Sequence, residues 1–158
     1  MKKLRQKGFT LIELLIVITI ISALAVTVFV ALNPAKRLSD ARDARRTSDV
    51  DTILTAIHEY IVDNKGSLPT GLTTNMVETQ LGTGVSGCAI ATGGCSVVGS
   101  TTCVDLGTVL NKYLKSIPQD PKNGTALLTQ YSVTVDSNNI VTMKACGTEG
   151  STNISSSR

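Results

Sequence analysis

The sequence predicts an α+β fold: a long N-terminal α-helix, hydrophobic in its first half and amphipathic in its second, packed on a small antiparallel β-sheet. Three observations carry that expectation. An apolar run from Phe9 to Leu32 holds Glu13 as its only charge and contains neither Gly nor Pro. Val50, Ile53, Leu54, Ile57, Tyr60 and Ile61 then recur at three and four residues, the period of one helical stripe. Finally, Tyr131–Val135 and Ile140–Ala145 alternate apolar and polar residues on either side of Asp136-Ser137-Asn138-Asn139, the pattern of an antiparallel hairpin.

The apolar run comes first. Its 24 residues make a helix of about 36 Å against roughly 30 Å of bilayer hydrocarbon, so it is long enough to span. A buried helix of a soluble core is seldom apolar on every side for so long. Lys2, Lys3, Arg5 and Lys7 precede it with no early acid, which favours a cytoplasmic N-terminus and places everything after Leu32 outside the cytoplasm. A cleaved secretory signal ranks second, because the small-residue match at Ala23–Ala25 would split the run.

Charge follows the same division. The chain of 158 residues carries a formal +3, but without the four leading cations 11 basic side chains face 12 acidic ones, a balance of −1. The basic excess belongs to the tip and not to a binding face. Partnership with DNA therefore has no support from charge, and no aromatic residue is interleaved with the later cations.

Within "KGFTLIELLIVITIIS", Lys7 to Ser22, a basic leader meets Gly8-Phe9 and a glutamate stands fifth after Gly8. This arrangement resembles the N-terminus of the type IV pilin and pseudopilin family. The resemblance implies that a prepilin peptidase cuts between Gly8 and Phe9 and that the new Phe9 amine is N-methylated. It implies storage as a single-pass protein of the cytoplasmic (inner) membrane, with the head outside, then polymerisation into an extracellular pilus. The implied partners are further copies in a helical homopolymer, other pilins, the prepilin peptidase and methyltransferase, the membrane before assembly, and the pilus assembly machinery. Glu13 is implied in subunit assembly, its carboxylate meeting the Phe9 amine of a neighbour, with its own Phe9 amine as a competitor. An ionisable group in an apolar helix is costly without such a partner. The plain alternative is an interfacial carboxylate with no role. Relatives often carry Gly or Pro within this helix; this chain has neither.

Four segments are expected: a leader at 1–8, a filament-core or transmembrane helix at 9–32, an amphipathic helix at 33–65, and a small head at 66–158. Asn33 is a good cap, Pro34 suits a first helical position, and Lys65-Gly66 is the stop. The mixed charges of "KRLSDARDARRTSD" read as a solvated helix face. After Gly66 a Thr, Ser and Gly texture suggests a loop-rich connector, with short strands near Ala89–Ile90 and Ser96–Val98. Leu106, Val109, Leu110, Tyr113 and Leu114 have helical spacing, and the tail from Gly147 reads as frayed.

Cys88, Cys95, Cys103 and Cys146 all fall on the exported side without C-x-x-C spacing, so disulfides are favoured over zinc. Of three possible pairings the expected one is Cys88–Cys95 with Cys103–Cys146. Asp120 and Asp136 are candidate calcium ligands, since nearby acids hold calcium in major pseudopilins. There an aromatic residue and Gly follow the Asp-Pro pair; here Lys122 and Asn123 do, which favours turn residues over a metal site and a pilin over a secretion pseudopilin. His58, the only histidine, reads as structural. No catalytic, metal or cofactor constellation is apparent, so the chain is read as no enzyme. The expected function is a structural subunit of a type IV pilus-like filament, with cell adhesion and twitching motility among its possible uses. The alternatives are a minor or type II secretion pseudopilin, or a monomeric signal-anchored surface binding protein.

Overall fold

A computed structural model describes residues 8–99, 102–150 and 153–158. The basic residues of the expected leader, up to Lys7, lie outside the described residues. The chain divides into two compact units, one ending at Leu38 and the other running from Ser39 to Arg158.

The first unit is built on α1 (Leu11–Leu32), none of whose residues is buried. At about 33 Å its 22 residues match the bilayer hydrocarbon. Thr10 is its N-cap, and Asn33 in the left-handed region (φ 40°) is its C-cap. Asn33 also starts the next helix, α2 (Pro34–Asp63), by accepting a bond from the Lys36 amide on its side-chain oxygen. One asparagine therefore ends one helix and begins another, with Pro34 at the first helical position.

In the second unit α2 continues to Asp63 and stops at a left-handed Lys65 and Gly66, whose amide reaches back to the Ile61 carbonyl at 2.8 Å. Four strands follow: β1 (Met76–Gln80), β2 (Tyr131–Val135), β3 (Val141–Ala145) and β4 (Ile154–Ser157), paired antiparallel in chain order. β2 and β3 are the expected hairpin. Asp136 shapes its turn by accepting from the Asn138 and Ile140 amides, each at 2.8 Å. One face of the sheet presents Tyr131, Val133, Val135, Val141, Met143 and Ala145 to Val50, Ile53, Leu54 and Ile57 of α2, and all ten are buried. Tyr60 and Ile61 flank that cluster. Leu106 and Leu110 complete it through isolated turns, Leu110 N–Leu106 O at 2.9 Å and Leu114 N–Leu110 O at 2.8 Å.

Those turns correct the expected helix at 106–114: the apolar spacing reflects two anchoring side chains. So short a segment gains little from helix propagation. Only a bridge between Ile90 and Val97 forms where two strands were expected. The tail is not wholly frayed either. β4 pairs with β3, and Val141 and Arg158 exchange both backbone bonds.

The disulfides join Cys88 to Cys103 and Cys95 to Cys146, which corrects the expected Cys88–Cys95 and Cys103–Cys146 pairing. Two local pairings explain it. Val104 lies beside Leu81 as a parallel bridge, and the Cys103 amide donates to Gly84, so Cys103 returns next to the segment leading into Cys88. The Ile90–Val97 bridge meanwhile carries Cys95 over the outer face of the sheet, with its sulfur 3.2 Å from the Ser132 hydroxyl, where Cys146 directly follows β3.

Candidate assembly site and the head's ionic clamp

Glu13 lies in the first turn of α1 and is held by the helix start itself. The Thr10 amide and the Thr10 hydroxyl both donate to Oε2 of Glu13 at 2.8 Å. In return the Glu13 amide donates to the Thr10 hydroxyl at 3.3 Å, completing a capping box. Carboxylate and hydroxyl thus satisfy one amide each, both of them amides that no preceding helical turn can reach. Thr10 was not singled out from the sequence, although Thr-Leu-Ile-Glu carries the Thr-x-x-Glu spacing that signals such a box.

Gly8 and Phe9 precede the cap in non-helical backbone. Phe9 is 88 % exposed, and a Cβ built on Gly8 would meet nothing within 4 Å. Gly8 has no left-handed backbone angle. Neither packing nor backbone conformation at this point asks for glycine.

In the head the expected solvated charges do something else. Arg46 is fully buried and forks onto Asp120, Nε to Oδ2 at 2.5 Å and Nη2 to Oδ1 at 3.1 Å. Its Nη1 donates to Asp43 at 2.8 Å and to Glu149 at 3.2 Å. Arg42 adds a second fork on Glu149, and Asp43 accepts from the backbone amides of Glu149 and Gly150. This corrects the solvated-face reading. The partners lie 74 and 103 positions away, so helical spacing alone could not show them.

Electrostatics follow the contacts. Burial pushes the Asp120 carboxyl up, but bonds from Arg46 and the amides of Asn123 and Lys122 outweigh it and its pKa is lowered. Burial likewise opposes ionisation of Asp43, and the Glu149 amide, Arg46 and the Gly150 amide reverse it. The Arg42 fork, above all, holds Glu149 well below the usual carboxylate range. Asp120 is thereby committed to Arg46 and its own turn, and Asp136 to the hairpin turn, which is the role as turn residues expected over calcium. Gly147 makes room for this clamp, since a Cβ there would stand 2.6 Å from Asp120 Oδ2. His58 is half-buried on α2, and its Nε2 has no hydrogen-bond partner among the described residues.

The structure does not join these places into one centre. Gly8, Phe9 and Glu13 belong to the first unit, and the four cysteines and the ionic clamp belong to the second. A scan against protein families matches residues 3–29 to the prokaryotic N-terminal methylation motif. No curated protein and no solved structure matches the chain. The motif takes in Gly8, Phe9, Thr10 and Glu13 together with most of α1. With an exposed apolar helix running through and just past it, this match is the leader signature of type IV pilins and pseudopilins.

Proposed function

We propose that this chain is a structural subunit of a type IV pilus-like surface filament. It is cut between Gly8 and Phe9, methylated on the Phe9 amine, stored in the membrane and polymerised through α1. One observation carries the reading: a 22-residue apolar helix with no buried residue lies mostly within a matched methylation motif. Such a surface needs lipid, other helices, or both in turn. A subunit that moves from membrane to filament core uses the same face in each.

Two details support the site roles. Gly8 answers no demand of the fold, which fits a demand from a peptidase that must approach the backbone closely. Glu13 serves its own helix start, and in a filament its carboxylate meets the ammonium of a neighbour's Phe9. That contact places charge against charge where water is excluded.

The test uses the full-length chain in cells that export it. Intact mass of the wild type should show loss of residues 1–8 and gain of one methyl group, and Gly8→Leu should leave an uncleaved precursor. Glu13→Leu should be processed and retained in the membrane but should not appear in surface fibres. Fibres of normal abundance and length from that variant would overturn the pairing role. Processed wild type found only as membrane-bound monomer would favour the signal-anchored alternative.

A further inference from the structure

Two places in the head have the Asn-x-Ser/Thr spacing of an N-glycosylation acceptor, Asn123-Gly124-Thr125 and Asn153-Ile154-Ser155. The fold treats them differently. In the first, two of the three residues have duties in their own turn. A Cβ on Gly124 would collide with the backbone of Asp120, so only glycine fits there. The Thr125 hydroxyl accepts from the Leu128 amide at 3.1 Å, and the Thr125 amide donates to the Leu128 carbonyl at 2.8 Å.

Asn123 has no such duty through its side chain. Its backbone amide donates to Oδ1 of Asp120 at 2.9 Å, while its carboxamide is exposed and bonds to nothing among the described residues. Turn asparagines ordinarily bond nearby backbone, so turn chemistry does not account for this one. The second acceptor is engaged. The Asn153 carboxamide lies where a Cβ on Gly94 would stand, and Ser155 is locked in β4 opposite Lys144. Surroundings add a third difference. Residues 121–130 form an exposed loop with no helix or strand, in which Leu127 is exposed. A bond from the Gly84 amide to the Leu127 carbonyl at 3.0 Å brings the exposed Val85 alongside.

We propose that Asn123 is the acceptor of an N-linked glycan, transferred to the folded head from an oligosaccharide carried on a lipid phosphate. The Asn123 side-chain nitrogen attacks the anomeric carbon of the carried sugar. A C–N bond forms, the C–O bond to phosphate breaks, the amide proton passes to base, and the lipid phosphate leaves. A bulky polar chain at this turn shields the apolar surface of Leu127 and Val85 that the fold leaves open. The proposal rests on the filament reading above, which puts the head outside the cytoplasm, and adds a covalent modification to it.

The test reads full-length protein recovered from cells that export it. Its intact mass should exceed that of the cleaved, methylated chain by whole sugar residues. Fragmentation of the peptide spanning Lys122 to Thr125 should place them on Asn123. Asn123→Gln and Thr125→Ala should each remove the added mass. Thr125→Ser should keep it, because serine preserves both the acceptor pattern and the hydroxyl that serves the turn. Asn153→Gln should change nothing. Processed protein with sugar elsewhere, with bare Asn123, or with only the conversion of Asn123 to aspartate would overturn this site and leave the filament reading intact. A wild-type chain that stays unprocessed would overturn the filament reading, and this site with it.

Discussion

The two units solve opposite problems with the same alphabet. In α1 no residue is buried, and its large Leu, Ile, Val and Phe side chains are exposed along its length. In the head the same residue types vanish into a cluster around Ile53, Leu54, Ile57 and Val133, and charge is buried with them. The difference teaches where each unit finds its partners. The head is satisfied within the chain, by core, clamp and disulfides. The apolar surface of α1 finds no cover within its own unit. On the filament reading proposed above, changes in the head should be read in folding, and changes in α1 in membrane storage and assembly.

The sharpest test of that separation is Arg46→Leu. It leaves Asp120 buried without its cation, and breaking a buried pair costs about 3–5 kcal/mol. Thermal unfolding of the head should show a loss of that size, while the proposed cleavage at Gly8-Phe9 should be unaffected. A variant of unchanged midpoint would show the clamp to be dispensable. Adding Asp120→Asn should recover part of the loss, because the stranded charge is removed.

Disulfide removal comes next. Cys95–Cys146 closes a separation of 51 residues and Cys88–Cys103 one of 15. Chain entropy assigns about 4 kcal/mol to the longer loop and about 3 kcal/mol to the shorter. Paired Cys→Ser replacements should rank in that order by denaturant midpoint. The reverse order would place the stabilisation elsewhere. Non-reducing peptide mapping should find these two links and no other.

How far the sequence alone reached follows the same division. The apolar run, the Val50–Ile61 stripe and the Tyr131–Ala145 hairpin are legible because each repeats with the period of its element. β4 is not, since Ser155, Ser156 and Ser157 give no alternation and the strand is held by its backbone. Arg46 is illegible for another reason: flanked by Arg42, Asp43 and Asp49, it looks like its solvated neighbours, and only the return of Asp120 and Glu149 makes it a core residue. At the N-terminus, Gly8, Phe9 and Glu13 are legible as a motif. The role of Thr10 follows from spacing that was there to be seen.

A pH series sharpens the comparison at smaller cost to the fold. Asp120, Asp43 and Glu78 all have lowered pKa values, so the folded head binds their protons less readily than the unfolded chain does. Their stabilisation is complete above the unfolded carboxylate range of about 4 and drains as pH falls through the lowered values. The thermal midpoint of the head should be level from about pH 7 to pH 5 and should fall below about pH 4. Arg46→Leu should flatten the fall, because Asp120 and Asp43 lose the partner that depresses them. An equally steep fall in that variant would assign the acid sensitivity to Glu149, held chiefly by Arg42, and to Glu78, held by Ser132 and Lys144.

The smallest effect is expected at Thr10, and it isolates the helix unit from the head. Thr10→Ala removes the hydroxyl that accepts the Glu13 amide and donates to its carboxylate, while the bond from the Thr10 backbone amide to Glu13 remains. Loss of a Thr cap costs about 1 kcal/mol of helix stability, confined to the first turn. Hydrogen exchange in detergent micelles should therefore quicken at the amides of Leu11 to Leu14 and stay unchanged from Ile16 onward. The unfolding midpoint of the head should not move, because the bonds of the cap lie within the first unit. Unchanged exchange in the first turn would mean that the remaining Thr10–Glu13 backbone bond suffices, and that the hydroxyl contributes nothing to how this helix begins.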